Sequence, residues 1–277
     1  MIRRGQGRRV SLTAARLLVA VQLAIVVVTL ALMAVWSFVD AWPWPQLAPA
    51  SWSLRGYAVV FSGSSDGWPS LALSVGIGAA SSLVATVAGA MGARALCCRE
   101  WRGKAVFRFA TMLPFLIPGT VFAMGVQVAF IRMGLARTVP GVVLAHAIVA
   151  LPYASALMAD VVRAQGTRLD DAARVLGAGR LATLFQVTIP SLAPGLLSAL
   201  SMGFIISCSQ YFLTLLVGGG KVRTFALAMF PYVAGGDRTI AAAYGVVFMA
   251  VTLAVFCVFR LLLRRLSWNV DDAVLYE

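Results

Sequence analysis

An all-α membrane protein with six transmembrane helices is the fold class this sequence predicts, and three observations predict it. Of its 277 residues, 61% are hydrophobic and 12% charged, against about 25% charged in an ordinary soluble domain. That leaves too little polar surface to cover a globule in water. The apolar residues also fall into six long runs, each near the roughly 20 residues needed to cross a bilayer. Finally, the basic residues gather at alternate ends of those runs.

The six runs are Leu17–Phe38, Leu71–Leu96, Val106–Phe130, Val139–Ala159, Ser191–Val217 and Ile240–Leu263. Backbone in hydrocarbon must satisfy its own hydrogen bonds, so each run is read as a helix. The first follows a basic segment, as in a signal peptide. It is longer than such a leader, and Ala48-Pro49-Ala50 lies too far away to serve as its cleavage site. It is therefore expected to be an uncleaved first span. The outside loop of residues 37–69 is flanked by Trp36 and carries Trp42, Trp44 and Trp52 with Pro43 and Pro45. That composition suits a membrane-interface belt, with docking of a partner outside the membrane as the second reading. In the second run Gly78, Ser82, Thr86 and Ala90 share one face, and Ser81, Ala85, Gly89 and Ala93 its neighbour. Small residues at this interval let helices approach closely, either within the bundle or between subunits. Pro114 and Pro118 in the third run and Pro152 in the fourth each remove a backbone bond and predict kinks.

The net charge of +13 does not point to nucleic acid, because the basic residues do not form one patch. With the N-terminus inside, seventeen of the 23 fall on inside segments. These are Arg3, Arg4, Arg8, Arg9 and Arg16; Arg94, Arg99, Arg102, Lys104 and Arg108; Arg163, Arg168, Arg174 and Arg180; and Arg260, Arg264 and Arg265. The excess of basic residues on one side predicts that both termini are cytoplasmic. Cys97, Cys98, Cys208 and Cys257 have neither disulfide nor metal-site spacing.

Between the fourth and fifth runs lies a mostly polar loop, residues 160–190, that reads Asp171-Ala172-Ala173-Arg174-Val175-Leu176-Gly177 and then Val187-Thr188-Ile189-Pro190. Asp170 and Asp171 are expected to cap a short helix and oppose its dipole. Ala172 and Ala173 favour helix and leave room for another protein. Gly177 supplies the left-handed stop. Leu181, Leu184 and Phe185 form a second short apolar face, and Pro190 suits the first turn of the fifth span. The loop is thus a helix, a turn and a second helix entering the membrane.

The spacing resembles the coupling motif of the membrane subunits of binding-protein-dependent ABC importers: Glu-Ala-Ala, three residues, Gly, nine residues, Ile, one residue, Leu-Pro. Asp171, Ala172, Ala173, Gly177 and Pro190 match in place, with Asp171 standing for Glu, Val187 for Ile and Ile189 for Leu. The resemblance runs from about residue 70 to 265. It implies the type I ABC importer permease (MetI-like) fold, and a division into residues 1–69, a five-helix core of 70–265 and a tail of 266–277. It implies a coupling helix that docks on an ABC ATPase subunit dimer, and a second permease, homologous or identical, completing the pathway. It further implies an extracytoplasmic substrate-binding protein and a place in the bacterial cytoplasmic (inner) membrane. The stretch after the fifth span is similar to permeases of the polyamine, thiamine, ferric-iron and phosphonate importers. Many of those carry an acid where this chain has Gln210, which weighs against a strongly cationic substrate.

Polar residues within spans are costly and often face a cavity or a partner helix. They mark Gln127, His146, Ser207, Ser209, Gln210, Tyr211 and Thr214 as possible pathway-lining residues, with His146 also read as an interhelix hydrogen-bonder. The Gly218–Gly220 run before Lys221 is not a phosphate loop, because that spacing needs glycine at Leu215 and a hydroxyl at Val222. No ATPase motif, metal set, cofactor site or catalytic residue is assigned. His146 and Asp160 are about 21 Å apart along a helix, too far to act as a pair. A proton-coupled secondary transporter, resting on His146 alone, is the alternative function.

Overall fold

The computed structural model describes residues 3–42, 45–46, 48–62 and 66–274, with side chains described only within 16–262. Pro43 and Trp44 lie outside the described residues, as do the side chains of Arg3, Arg4, Arg8, Arg9, Arg264 and Arg265. The helices in order are α1 (Arg3–Trp36), α2 (Arg55–Phe61), α3 (Gly67–Cys98), α4 (Lys104–Leu116), α5 (Gly119–Arg132), α6 (Val139–Gln165) and α7 (Arg168–Val175). A short α8 (Arg180–Ala182), a π-helical turn (Thr183–Thr188) and α9 (Ile189–Ser191) follow. The last are α10 (Ala193–Ser209), α11 (Tyr211–Gly218), α12 (Phe225–Ala234) and α13 (Arg238–Val274).

Among the described residues, four stretches are long and apolar enough to cross a membrane: Arg16–Trp36, Gly67–Cys98, Val139–Gln165 and Arg238–Leu262. Two more candidates are broken. Lys104–Leu116 and Gly119–Arg132 meet at 110°, and Arg180–Ser191 and Ala193–Ser209 at 69°. Counting each pair once gives up to six spans, but the second pair begins at Arg180, inside the loop read as lying between the fourth and fifth spans, so its bend marks the entry to the expected fifth run, Ser191–Val217. The third and fifth runs are therefore not continuous helices. Pro118 has no N–H to return to the Pro114 carbonyl, and it forces Ile117 into extended backbone (φ −89°, ψ 134°). Pro190 falls in α9, before the bend at Leu192, and Pro194 opens α10. The fifth run breaks again at Gln210, between α10 and α11. Pro152, by contrast, is held inside an unbroken α6.

The chain divides into two compact units, one drawn from residues 1–65 and 229–249, the other from 66–228 and 250–277. In the first, the loop read as a tryptophan belt or a docking surface contains structure of its own. Strands β1 (Val39–Ala41) and β2 (Ser51–Trp52) pair antiparallel, and α2 follows. Trp36 stacks on Trp42 at 4.7 Å, and the Arg238 guanidinium lies over the Trp36 ring. Arg55 reaches both Asp40 and Asp237, and the Thr239 hydroxyl donates to the Val39 carbonyl at 2.6 Å. Trp52 is exposed, as an interfacial ring would be.

In the second unit α3, α6 and α10 pack on one another, α4 lies on α6, and α11 lies on α5 and α6. Both small-residue faces of α3 are used in this packing. Gly78 sits against Phe204, Ser82 against Gly203, and Gly89 against the backbone of Ala154 and Ser155. They serve packing within the chain, where small side chains bring helix backbones together. A Cβ on Gly89 would lie 2.9 Å from the Ser155 nitrogen and 3.0 Å from the Ala154 carbonyl carbon. Gly89→Ala is thus expected to push α3 off α6 and cost about 1–3 kcal/mol, read as a lower melting temperature of the purified chain in detergent. An unchanged melt would show that the two helices do not approach this closely.

Candidate functional site

The loop predicted from the motif is folded into α7, α8, the π turn and α9. Helix α7 ends as foreseen at Gly177, whose φ is +90°. The Ala178 N–H bonds to the Ala173 carbonyl and the Gly177 N–H to the Arg174 carbonyl, both at 3.0 Å. These two bonds form the six-to-one and five-to-two pair that a left-handed glycine permits at a helix end. No atom lies within 4 Å of a Cβ built on Gly177, so the turn faces open space. Val175 and Leu176 at the tip are 86% and 88% exposed. Leu169, Leu181 and Phe185 are exposed as well, giving an apolar surface on a polar loop.

The acidic residues stand in the first turn of α7, where they oppose its dipole as expected, but they do not cap it. Helix α7 starts after Thr167, and no side chain caps it. Asp171 is exposed and lines a cleft of about 400 Å³ with Arg94, Arg99 and Arg174. Asp170 is buried and turns inward. Its carboxylate accepts from the Arg94 guanidinium of α3 and, at 2.7 Å, from the Thr188 hydroxyl of the π turn. A charge-assisted bond of this kind is stronger than a neutral one. It fastens the loop's first helix to its second and both to α3. The Gln165 amide adds a further tie by donating to the Ser191 carbonyl. Sequence reasoning missed Arg94, Asp170 and Thr188 as one cluster, because their separations of 76 and 18 residues carry no local signal.

The motif residues fall into two groups. Asp171, Ala172 and Gly177 are exposed and Ala173 half-buried, so they lie on the accessible side. Val187 and Ile189 are half-buried and Pro190 is buried, so they hold the loop's end to the body of the unit.

The residues read as pathway-lining separate in the same way. His146 is buried; its Nδ1 lies 2.8 Å from the Ser207 hydroxyl and its Nε2 2.9 Å from the Thr214 hydroxyl. Thr214 donates to the Gln210 carbonyl, and Ser81 to the Ser207 oxygen at 2.9 Å. With Thr214 donating to Gln210, a neutral imidazole protonated on Nε2 donates to Thr214 while Nδ1 accepts from Ser207, and Ser81 shares its one proton between Ser207 and the Ile77 carbonyl at 2.6 Å. The network joins α3, α6, α10 and α11 and spans the helix break at Gln210. His146, Ser207 and Thr214 are therefore interhelix ties. The Ser209 hydroxyl donates to the Ile206 carbonyl of its own helix, and Gln127 and Tyr211 are half-buried. Gln210 lines a cleft of about 390 Å³, shared with Pro114, Gly119, Thr120, Phe122 and Phe212. The breaks of the third and fifth spans thus open on one cleft. Irregular backbone at membrane depth is tolerated where protein or a cavity covers it.

The chain matches the family described as the binding-protein-dependent transport system inner membrane component over residues 85–268. It is 27% identical to the ferric transport system permease protein FbpB of Actinobacillus pleuropneumoniae, over 79% of this chain and 32% of that protein. It is 25% identical to the putative 2-aminoethylphosphonate transport system permease protein PhnV of Salmonella typhimurium, over 81% of this chain and 84% of that protein. The chain thus spans about a third of the length of the ferric relative. It also spans 59% of a putative ABC transporter permease of Streptomyces antibioticus that it matches at 29% identity. Its fold is that of a chain in the crystal structure of a bacterial ABC transporter that imports the acidic polysaccharide alginate. The TM-score is 0.68 at 18% identity, covering 92% of this chain and 96% of that one. The motif loop, the broken spans and this family match agree: the chain belongs to the family of inner-membrane permease components of binding-protein-dependent ABC importers.

Proposed function

We propose that this chain forms half of a translocation pathway for a small solute and is driven by a separate ABC ATPase through the loop of residues 160–190. The observation that carries the reading is an exposed apolar tip, Val175 and Leu176, on a loop fastened to α3 by the Arg94–Asp170–Thr188 cluster. An exposed apolar tip is a docking surface. A fastened one transmits displacement to the helices behind it. In this reading the loop and both termini are cytoplasmic, which the excess of basic residues on one side supports. A second permease, homologous or identical, completes the path, and an external binding protein delivers the solute. The chain itself carries out no catalysis.

The relatives include proteins named for ferric iron, spermidine/putrescine, 2-aminoethylphosphonate, trehalose and molybdenum transport, and we propose a small solute of the polyamine, thiamine, phosphonate or ferric-iron type as the substrate. The cleft at the helix breaks has no ionisable side chain in its lining. Gln210 and Thr120 offer hydrogen bonds there without charge, which supports selection by the binding protein rather than by the membrane path.

Gly177→Asp and Ala173→Arg test the coupling. Gly177→Asp puts a charge on the accessible turn and forces a non-glycine residue to a φ of +90°, a local cost of about 1 kcal/mol that leaves the bundle folded. Both variants are expected to reach the membrane at normal levels, to lose co-purification of a co-expressed ABC ATPase subunit, and to lose uptake. Normal uptake by either variant would overturn the coupling assignment. Proton-dependent uptake by this chain without an ATPase would establish the secondary-transporter reading instead.

A further inference from the structure

Beside the C-terminal end of α3 lies a cleft unconnected with the motif, of about 380 Å³, between α3, α4 and α6. Its walls include Leu96 and Met112, its polar lining Thr111 and Ser155, and its basic residues Arg108 and Arg163. Arg108 stands in the second turn of α4 and Arg163 in the last turn of α6. The Arg108 guanidinium has no partner among the described residues. Arg163 donates from Nε to the Ala159 carbonyl at 3.1 Å and pairs with Asp160 at 3.0 Å, but the paired side chains are largely exposed (65% and 76%), and such a pair is weak and readily exchanged. Ser155 as a residue is largely buried (7% exposed), but its hydroxyl lines the cleft and makes no hydrogen bond among the described residues. The cleft therefore offers two guanidinium groups and a spare hydroxyl above an apolar wall, which is the chemistry that holds a phosphate oxyanion.

Two observations place the cleft at the membrane surface. The turn before α4 carries Arg99, Glu100, Trp101, Arg102 and Lys104. Trp101 is partly exposed, packs edge-on against Phe107, and donates its indole N–H to the Ala95 carbonyl. Tryptophan among basic residues marks the headgroup level of a bilayer. Along α4, moving away from that turn, Phe109, Phe115 and Leu116 are exposed apolar side chains, a surface suited to acyl chains. A free anion has no use for that surface, whereas a phospholipid uses both parts.

We propose that this cleft is a binding site for an anionic phospholipid, its phosphodiester held between Arg108 and Arg163 and its acyl chains laid along α4. Basic pockets between membrane helices at the cytoplasmic face suit such headgroups. The inference rests on the membrane placement and sidedness of the proposed function but not on its coupling role, so a failure of ATPase docking leaves it standing.

The test is native mass spectrometry of the full chain released from mixed phosphatidylglycerol and phosphatidylcholine vesicles. The wild-type chain is expected to retain phosphatidylglycerol over phosphatidylcholine, and the Arg108→Gln/Arg163→Gln variant to retain about tenfold less of it. Arg108→Lys/Arg163→Lys keeps the charge and is expected to recover most of the retention, separating binding from misfolding. Equal retention of the two lipids by the wild-type chain, or undiminished phosphatidylglycerol on the glutamine variant, would overturn the proposal. So would displacement of bound phosphatidylglycerol by millimolar inorganic phosphate, which would identify a site for a soluble anion.

Discussion

Arg94→Ala is expected to lower the stability of the purified chain by about 3 kcal/mol and to abolish ATP-driven uptake. The substitution leaves the Asp170 carboxylate, whose side chain is 11% exposed, without its cationic partner, and stranding one member of a buried pair costs about 3–5 kcal/mol. Arg94 is one-third exposed, so the reverse change is milder. Asp170→Asn frees a guanidinium that can turn to water, and the new amide oxygen still accepts from Thr188. About 1–2 kcal/mol is expected for it. Combining the two changes removes both charges and is expected to recover at least half of the loss seen for Arg94→Ala. A double-mutant cycle on melting in detergent reads the coupling directly. Strictly additive single changes would show that the pair does not fasten the loop. Uptake is the second readout: the loop's apolar tip remains intact in every variant, so a chain that still binds the ATPase but no longer transports isolates the fastening from the docking.

His146→Leu carries the second large effect, a loss of about 3 kcal/mol. The leucine gives Thr214 no donor and Ser207 no acceptor, and each unmet polar group in a dry interior costs about 1–3 kcal/mol. His146→Gln supplies one amide donor and one carbonyl acceptor and is expected to recover about half. Melting temperature and uptake together decide the role of the residue. If His146 is a tie across the break at Gln210, stability and uptake fall together and the glutamine variant restores both. A variant of normal stability whose uptake alone is lost would return His146 to the pathway.

Much of this architecture was legible from composition and spacing, because a bilayer imposes a simple demand for long apolar runs and a charge bias. The positions of α3 and α6 follow from their apolar runs. The stop at Gly177 follows from glycine's freedom at positive φ, and the structure adds its two closing hydrogen bonds. Pro118 announced a disturbance of the third run, but not its size. A 110° break depends on neighbours that cover the exposed carbonyls, and those neighbours are distant in sequence. The π turn at Thr183–Thr188 has no propensity signal. Asp170 was misread as a cap because a carboxylate near a helix start is normally explained locally. Its partner on α3 lies 76 residues away. Val175 and Leu176 were within reach: two adjacent apolar residues before a helix-ending glycine in a polar loop are hard to bury.

The broken third span bears on how the chain enters the membrane in the first place. Helices α4 and α5 have 13 and 14 residues, about 20 Å each, while hydrocarbon is about 30 Å thick. Neither half alone is long enough to cross it, and the Pro114 carbonyl at their junction has lost its helical donor. Helix α4 settles on α6, and α5 on α11, both of which are synthesised later. The order in which this region leaves the ribosome therefore differs from the order in which it comes to rest, and a nascent chain halted before residue 165 is expected to hold it only as an unfinished hairpin at the bilayer surface.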